Sequence, residues 1–261
     1  MLVRTFRNAV LALLIVLPIS VSSAADVEID ILAATPVGSW MMSEDIETDH
    51  RGRQAVTVMK HSMLGTEQRN GQTLYWVETV IDGFELKNGE RKRLGERGVL
   101  KALVGEAFFM GDPENLSMDL KSNYVELIIQ TGNGESIRLR RIGEGMAGIL
   151  GGMEFTQSWE WGGFEAVTVP AGTFHTQKIL GSGTMTSLFL GATTSAHTIW
   201  YTQSVPFGVM KSEVRTTDKR GKVDTLTIRL LEYGTSGAHS LITSTPKGLP
   251  PLPDPLGLFG G

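Results

Sequence analysis

The sequence predicts an all-β fold, a meandering antiparallel sheet in one domain, on three observations. Apolar residues recur at every second position over most of the chain, turn sequences fall roughly every 8–12 residues, and the helical period of about 3.6 residues is scarce.

The elements follow in order. Trp40, Met42 and Ile46 alternate along Trp40-Met-Met-Ser-Glu-Asp-Ile46, as in a half-buried strand. Asp49-His-Arg-Gly52 turns the chain into a strand over 54–63, and Asn70-Gly71 precedes another over 73–81. Asn88-Gly89, between Phe84-Glu-Leu86 and Arg91-Lys-Arg93, suits a two-residue type I′ hairpin, because both positions tolerate positive φ. A second hairpin joins 124–130 to 136–142 through Gly132-Asn-Gly134. Along 153–161, Phe155, Trp159 and Trp161 share a face until Gly162-Gly163 breaks the pattern. Phe164 to Val169 then enters the turn Pro170-Ala-Gly172, and 173–180 returns. Strands over 196–202, 209–216 and 223–233 complete the meander, giving ten to twelve in all. One short helix is conceivable within Glu96 to Ala107, although Val99 to Val104 reads equally as a strand.

The two ends differ from this body. Arg4 and Arg7, an apolar run from Ala9 to Val21, and the small residues Ser22 to Ala25 before Asp26 read as a cleavable secretory signal over residues 1–25. No other apolar run approaches the roughly 20 residues of a membrane-spanning helix. Residues 26–240 are expected to form the domain. Residues 241–261, with five prolines and four glycines after Ile242, read as a disordered or extended tail. The expected location is the periplasm or the exterior.

Charge and chemistry exclude several classes. Without Arg4 and Arg7 the exported chain keeps 22 Lys and Arg against 28 Asp and Glu, near −6, which argues against nucleic acid as a partner. The absence of cysteine excludes both a disulfide framework and a lipid-anchored cysteine after the signal. Gly143-Glu-Gly-Met-Ala-Gly148 has the form of a dinucleotide fingerprint. It follows a hairpin strand, however, and Gly151-Gly152 would break the helix that a pyrophosphate needs, so it reads as a loop. His50, His61, His175, His197 and His239 lack the spacing of a metal site. There is no G-x-S-x-G elbow, and the only S-x-x-K, Ser244-Thr-Pro-Lys247, lies in the tail. The expectation is a protein with no catalytic residues, cofactor or metal.

The aromatic side chains are more suggestive. Trp40, Trp76, Phe155, Trp159, Trp161, Phe174 and Trp200 recur on single faces of successive strands. Such a stripe either fills a core or, in a strongly curved open sheet, lines an apolar cleft. Met146 and Met153 would suit an adaptable surface in the second case.

Several segments carry a family resemblance: Gly38-Ser-Trp40, Tyr75-Trp-Val-Glu78, Lys101-Ala-Leu-Val104, Val167-Thr-Val-Pro-Ala-Gly-Thr-Phe174 with Lys178, Thr198-Ile-Trp-Tyr201 and Pro206-Phe-Gly-Val-Met-Lys211. Over roughly residues 36–235 the chain resembles bacterial periplasmic proteins similar to the Lol-type lipoprotein carriers. That resemblance implies an unclosed half-barrel of antiparallel strands around an apolar cavity. The helices that plug the carriers have few counterparts here. The expected function is non-covalent binding of a lipid, acyl chain or other hydrophobic molecule in the concave face. The alternative is a scaffold with a closed core that meets another envelope protein through its edges or tail.

Overall fold

The computed structural model describes residues 31–110, 124–140, 153–187 and 191–248. The signal segment, the glycine-rich loop around 143–152 and the tail beyond 248 lie outside the described residues.

Thirteen strands form one sheet among the described residues. They are β1 (Trp40–Thr48), β2 (Gln54–Arg69), β3 (Gln72–Lys87), β4 (Glu90–Arg93), β5 (Gly98–Gly105), β6 (Tyr124–Thr131), β7 (Ile137–Arg140), β8 (Met153–Val169), β9 (Gly172–Ser187), β10 (Gly191–Tyr201), β11 (Val209–Asp218), β12 (Val223–Gly234) and β13 (Lys247–Gly248). A single helical turn, α1 (Ala107–Met110), follows β5. The segment around Val99 to Val104 is therefore strand, and the helix is one turn beyond it. No described helix is long and apolar enough to cross a membrane.

The strands run in space as β13, β7, β6, β5, β3, β2, β1, β12, β11, β10, β9, β8, with β4 attached to β3. Neighbours are antiparallel except β13 on β7. The sheet is curved and open, with β8 and β13 at its two ends rather than joined into a barrel. Most links are hairpins between sequence neighbours. The β3–β5, β7–β13 and β1–β12 pairs are not, and β1–β12 fastens the two halves of the chain along the middle of the sheet.

Asn70 and Gly71 have φ of 51° and 79°, and Asn88 and Gly89 of 53° and 80°. Both Asn-Gly pairs therefore take the left-handed conformation that two-residue hairpins need. Gly162-Gly163 does not end its strand. Trp161 pairs with Ile179 and Phe164 with Gln177, so the two glycines form a bulge inside one long β8.

Cross-strand partners share a face, so the register assigns every side chain to one side of the sheet. The inner face carries the main apolar core. Met41, Met63, Val77, Ala102, Ile199 and Leu230 are buried there, joined at one end by Phe108, Phe109 and Phe207. The outer face carries a smaller cluster of Val80, Val99 and Ile128.

Three appendages pack against the sheet. The β3–β4 hairpin sends Arg91 to Glu44 on β1. The β8–β9 tip turns onto β10–β12, where the Ala171 amide donates to the Leu230 carbonyl at 3.4 Å. The third is the beginning of the expected tail. Residues 241–248 are mostly exposed but anchored at two points, with Ile242 buried in the outer cluster and Lys247–Gly248 paired to β7. A buried carboxylate explains the difference. Glu78 accepts from Ser240 Oγ at 2.5 Å and from the Leu241 amide at 2.8 Å, holding a segment whose composition alone suggests disorder.

Candidate functional site

The register divides the seven aromatic residues expected to line one cleft. Trp40 pairs with Ser62 on the outer face, with Lys60 Nζ 4.2 Å from its ring centroid and its Nε1 donating to the Ser236 carbonyl at 3.2 Å. Trp76 packs on the outer cluster and donates to Glu67 at 3.1 Å. Trp200 is also outer, between its cross-strand partners Lys178 and Lys211, and donates to Glu165 of the folded-over tip. That indole bond, more than the nearby Lys178 ammonium, holds the Glu165 carboxyl below the usual range. By register Trp40, Trp76 and Trp200 therefore stand on the face opposite Trp159 and Trp161, with Trp200 itself buried in the main core cluster. Each stands an odd number of positions from an inner residue of its own strand, Asp45, Thr79 and Ile199, so alternation within one strand does not give a face common to all strands until the pairing is known.

Trp159 and Trp161 do lie on the inner face, both half-buried. Phe155 shares their phase and pairs with Met185 through the backbone, but its side chain lies outside the described residues. Phe174 stands beyond the bulge, its ring 6.1 Å from that of Tyr233 in an edge-to-face contact.

Each inner tryptophan heads a row across the sheet. One row runs from Trp161 through Ile179, Ile199, Ser212 and Ile228 to Asp45. The next runs from Trp159 through Gly181, His197, Val214 and Leu226 to Glu47. Gly181 is needed beneath the Trp159 ring, since a Cβ there would stand 2.2 Å from it. His197 lies 5.5 Å from Trp159 between ring centroids, and its Nε2 is 2.8 Å from Ser195 Oγ. Burial lowers the His197 pKa.

Polar atoms interrupt this apolar floor. Asp45 is 5% exposed, and its hydrogen-bond partner is the Ser43 hydroxyl at 3.2 Å. Desolvation, partly offset by Ser43, raises its carboxyl to about 7. His61, buried beside Thr79 Oγ1 at 3.0 Å, is lowered by desolvation to about 4. Ser212 Oγ and Trp159 Nε1 are buried without a hydrogen-bond partner among the described residues. Spacing could have found Trp159 and Trp161. It could not have found Asp45, Ser212 and His197, which are ordinary residues until pairing sets them among apolar neighbours.

No described group of three or more His, Cys, Asp or Glu could hold a metal ion. His175 and His197 occupy adjacent strands at different levels, opposite Ala166 and Gly181 respectively.

No family model and no curated protein matches this chain, so the resemblance to Lol-type carriers rests on its motifs alone. Two solved structures align over 77% of the chain. One, from Bacteroides fragilis NCTC 9343, is named as an exported protein with a YmcC-like fold; it is 8% identical, with 97% of its own chain covered and a TM-score of 0.37. The other, from Parabacteroides distasonis ATCC 8503, is named as a lipoprotein; it is 15% identical, 96% covered, with a TM-score of 0.39. Scores this low leave fold and function to be argued from the sheet itself.

Proposed function

We propose that this chain is an exported envelope protein that binds a hydrophobic or amphipathic small molecule non-covalently on the inner face of its curved sheet. The signal-like segment at residues 1–25 supports export. The observation that carries binding is the pair of buried, unpartnered hydrogen-bonding atoms, Trp159 Nε1 and Ser212 Oγ, on that face. A finished core pairs such atoms, because leaving one buried and unpaired costs about 1–3 kcal/mol. A ligand or ordered water meeting the inner face would satisfy them. The reading assigns no catalytic residue and requires no cofactor.

The test is organic extraction of protein purified from the cell envelope, with mass spectrometry of the extract and titration with a neutral fluorescent probe. A co-purified amphiphile and a saturable probe site, weakened in Trp159→Ala, are expected. An empty extract together with no probe site refutes the reading.

A second reading, an envelope scaffold with a closed core, draws on edge strand β8. Phe164 is 75% exposed there beside the bulge, stacked edge-to-face on Trp161 with centroids 4.9 Å apart. Its expected result is a stoichiometric protein partner in native pull-down that Phe164→Ser releases.

A further inference from the structure

The inner side of the sheet is not covered evenly. At the end formed by β5, β6 and β7, the inner row of Thr79 continues into Leu100, Ile129 and Ile137, and that of Val77 into Ala102, Leu127 and Leu139. Ala102 is buried, but Leu100, Leu127, Ile129 and Leu139 are only half-buried and Ile137 is 40% exposed. Beyond Ala102, Leu127 alone packs against a buried cluster among the described residues. On the opposite side of β5 and β6, Val99, Leu103 and Ile128 are buried, and Ile242 of the C-terminal segment joins Val99 and Ile128. This end of the sheet therefore has one covered face and one aliphatic face still open among the described residues.

We propose that residues 249–261 fold over the β7 edge and dock on this inner aliphatic patch. β13 delivers the chain there. Lys247 pairs with Ile137 and Gly248 with Arg138, parallel to β7, so one more step of the same register sets Leu249 beside Leu139. Pro250 and Pro251 then stop the pairing, because one of two successive strand residues must turn its N–H toward β7 and neither has one. The segment matches the patch in character, with Leu249, Leu252, Leu256, Leu258 and Phe259 against a single charged side chain, Asp254. Pro250, Pro251, Pro253 and Pro255 restrict it before it docks, which lowers the entropy lost on docking. Its length, up to about 40 Å when extended, exceeds the two strand spacings, about 10 Å, from β7 to β5. The linker 141–152 also leaves β7, but it must reach β8, at the other end of the strand order. Docked, residues 249–261 cover both the patch and the remaining β7 edge, surfaces that otherwise invite pairing with a second copy. The proposal concerns the end of the sheet away from Trp159 and Trp161 and does not depend on the ligand reading.

The chain has no cysteine, so Asp254→Cys gives a single site for a nitroxide and leaves every apolar residue of the segment in place. In the exported chain with isotope-enriched Ile, Leu and Val methyl groups, the label should broaden the methyls of Ile129, Ile137 and Leu139. The effect there should be at least threefold greater than at Val80 on the outer face or Ile199 in the central rows. Adding Leu252→Asp, a change outside the sheet, should reduce that broadening at least threefold. Uniform weak broadening of all methyls, or broadening unchanged by Leu252→Asp, overturns the proposal. A mixture of spin-labelled unenriched chain with enriched unlabelled chain should show no broadening of the three methyls. If it does, a second copy occupies the patch and the proposal also falls.

Discussion

The two faces of this sheet treat buried carboxyls in opposite ways. On the outer face Glu44 is bound by Arg91 and Arg229, Glu126 by Arg69 and Arg138, and Glu78 by a hydroxyl and an amide of the C-terminal segment. On the inner face Asp45 is as deeply buried, yet its hydrogen-bond partner is a neutral hydroxyl and its pKa is raised. The outer carboxylates fasten appendages and fix the fold. The inner carboxyl is left short of partners within the chain, and the difference between the faces is the physical basis for assigning structure to one and binding to the other.

The comparison breaks most directly at Glu44. Arg229→Met removes the Nε and Nη2 donors, at 2.9 and 2.5 Å, from a carboxylate that stays buried. Removing one partner of a buried pair typically costs 3–5 kcal/mol, and with Arg91 still present the expected loss is about 3 kcal/mol in urea unfolding. Replacing Glu44 and Arg229 together with apolar residues should recover much of it. A single-variant loss below roughly 0.5 kcal/mol would show that outer pairs are no better anchored than Asp45.

Asp45→Asn should act in the opposite direction. With a folded pKa of about 7 against 3.8 ordinarily, Asp45 keeps its proton while the unfolded chain releases one, so stability is complete below about pH 4 and falls as pH rises to about 7. His61, lowered from 6.5 to about 4, contributes stability above pH 6.5 that is lost as pH falls toward 4. Between pH 4 and 6.5 the two slopes oppose each other. Asp45→Asn should leave the His61 slope exposed and stabilise the protein at pH 8 by on the order of 2 kcal/mol. A variant less stable than the parent at pH 8 would mean that Asp45 is ionised and paired, as the outer carboxylates are.

Leu241→Pro sharpens the role of the outer cover. It deletes the amide donor to Glu78 while leaving Ser240 in place, and should cost about 1–2 kcal/mol. Limited proteolysis should then cut within 241–248. Continued protection of that stretch would show that Ile242 burial, rather than the carboxylate, holds it.

The sequence disclosed the local half of this architecture. The Asn-Gly hairpins are visible because positive φ selects those residues, and the shared face of Trp159 and Trp161 follows from their position two apart in one strand. Agreement between strands was not legible. Register slips at Met42/Ser43, Met63/Gly65, Trp161/Phe164 and Trp200/Tyr201, and each can turn a consistent alternation to the other face. Trp40, Trp76 and Trp200 need no slip to lie outside, since each stands an odd number of positions from an inner residue of its own strand, Asp45, Thr79 and Ile199; which strand pairs with which is what the sequence does not carry. The hold of Glu78 on Leu241 spans 163 residues, and composition carries no trace of it.

The finest test of the two faces compares two indoles that differ in whether the N–H is used. Trp76 Nε1 donates to Glu67 on the outer face, whereas Trp159 Nε1 on the inner face has no partner among the described residues. Trp→Phe removes similar ring volume at both sites. At Trp76 it also removes a hydrogen bond to a charged group, worth roughly 1.5–3 kcal/mol in a buried setting and less at this half-exposed pair. At Trp159 it removes a donor that stabilises nothing in the free protein. Trp159→Phe should therefore be the milder change by about 1 kcal/mol in urea unfolding without ligand. Ligand should reverse the order, because the Trp159 donor is then engaged and its loss lowers the gain in stability that ligand confers. If Trp159→Phe is the costlier change in ligand-free protein, its indole N–H already has a partner, and the inner face is a finished core of the kind the scaffold reading requires.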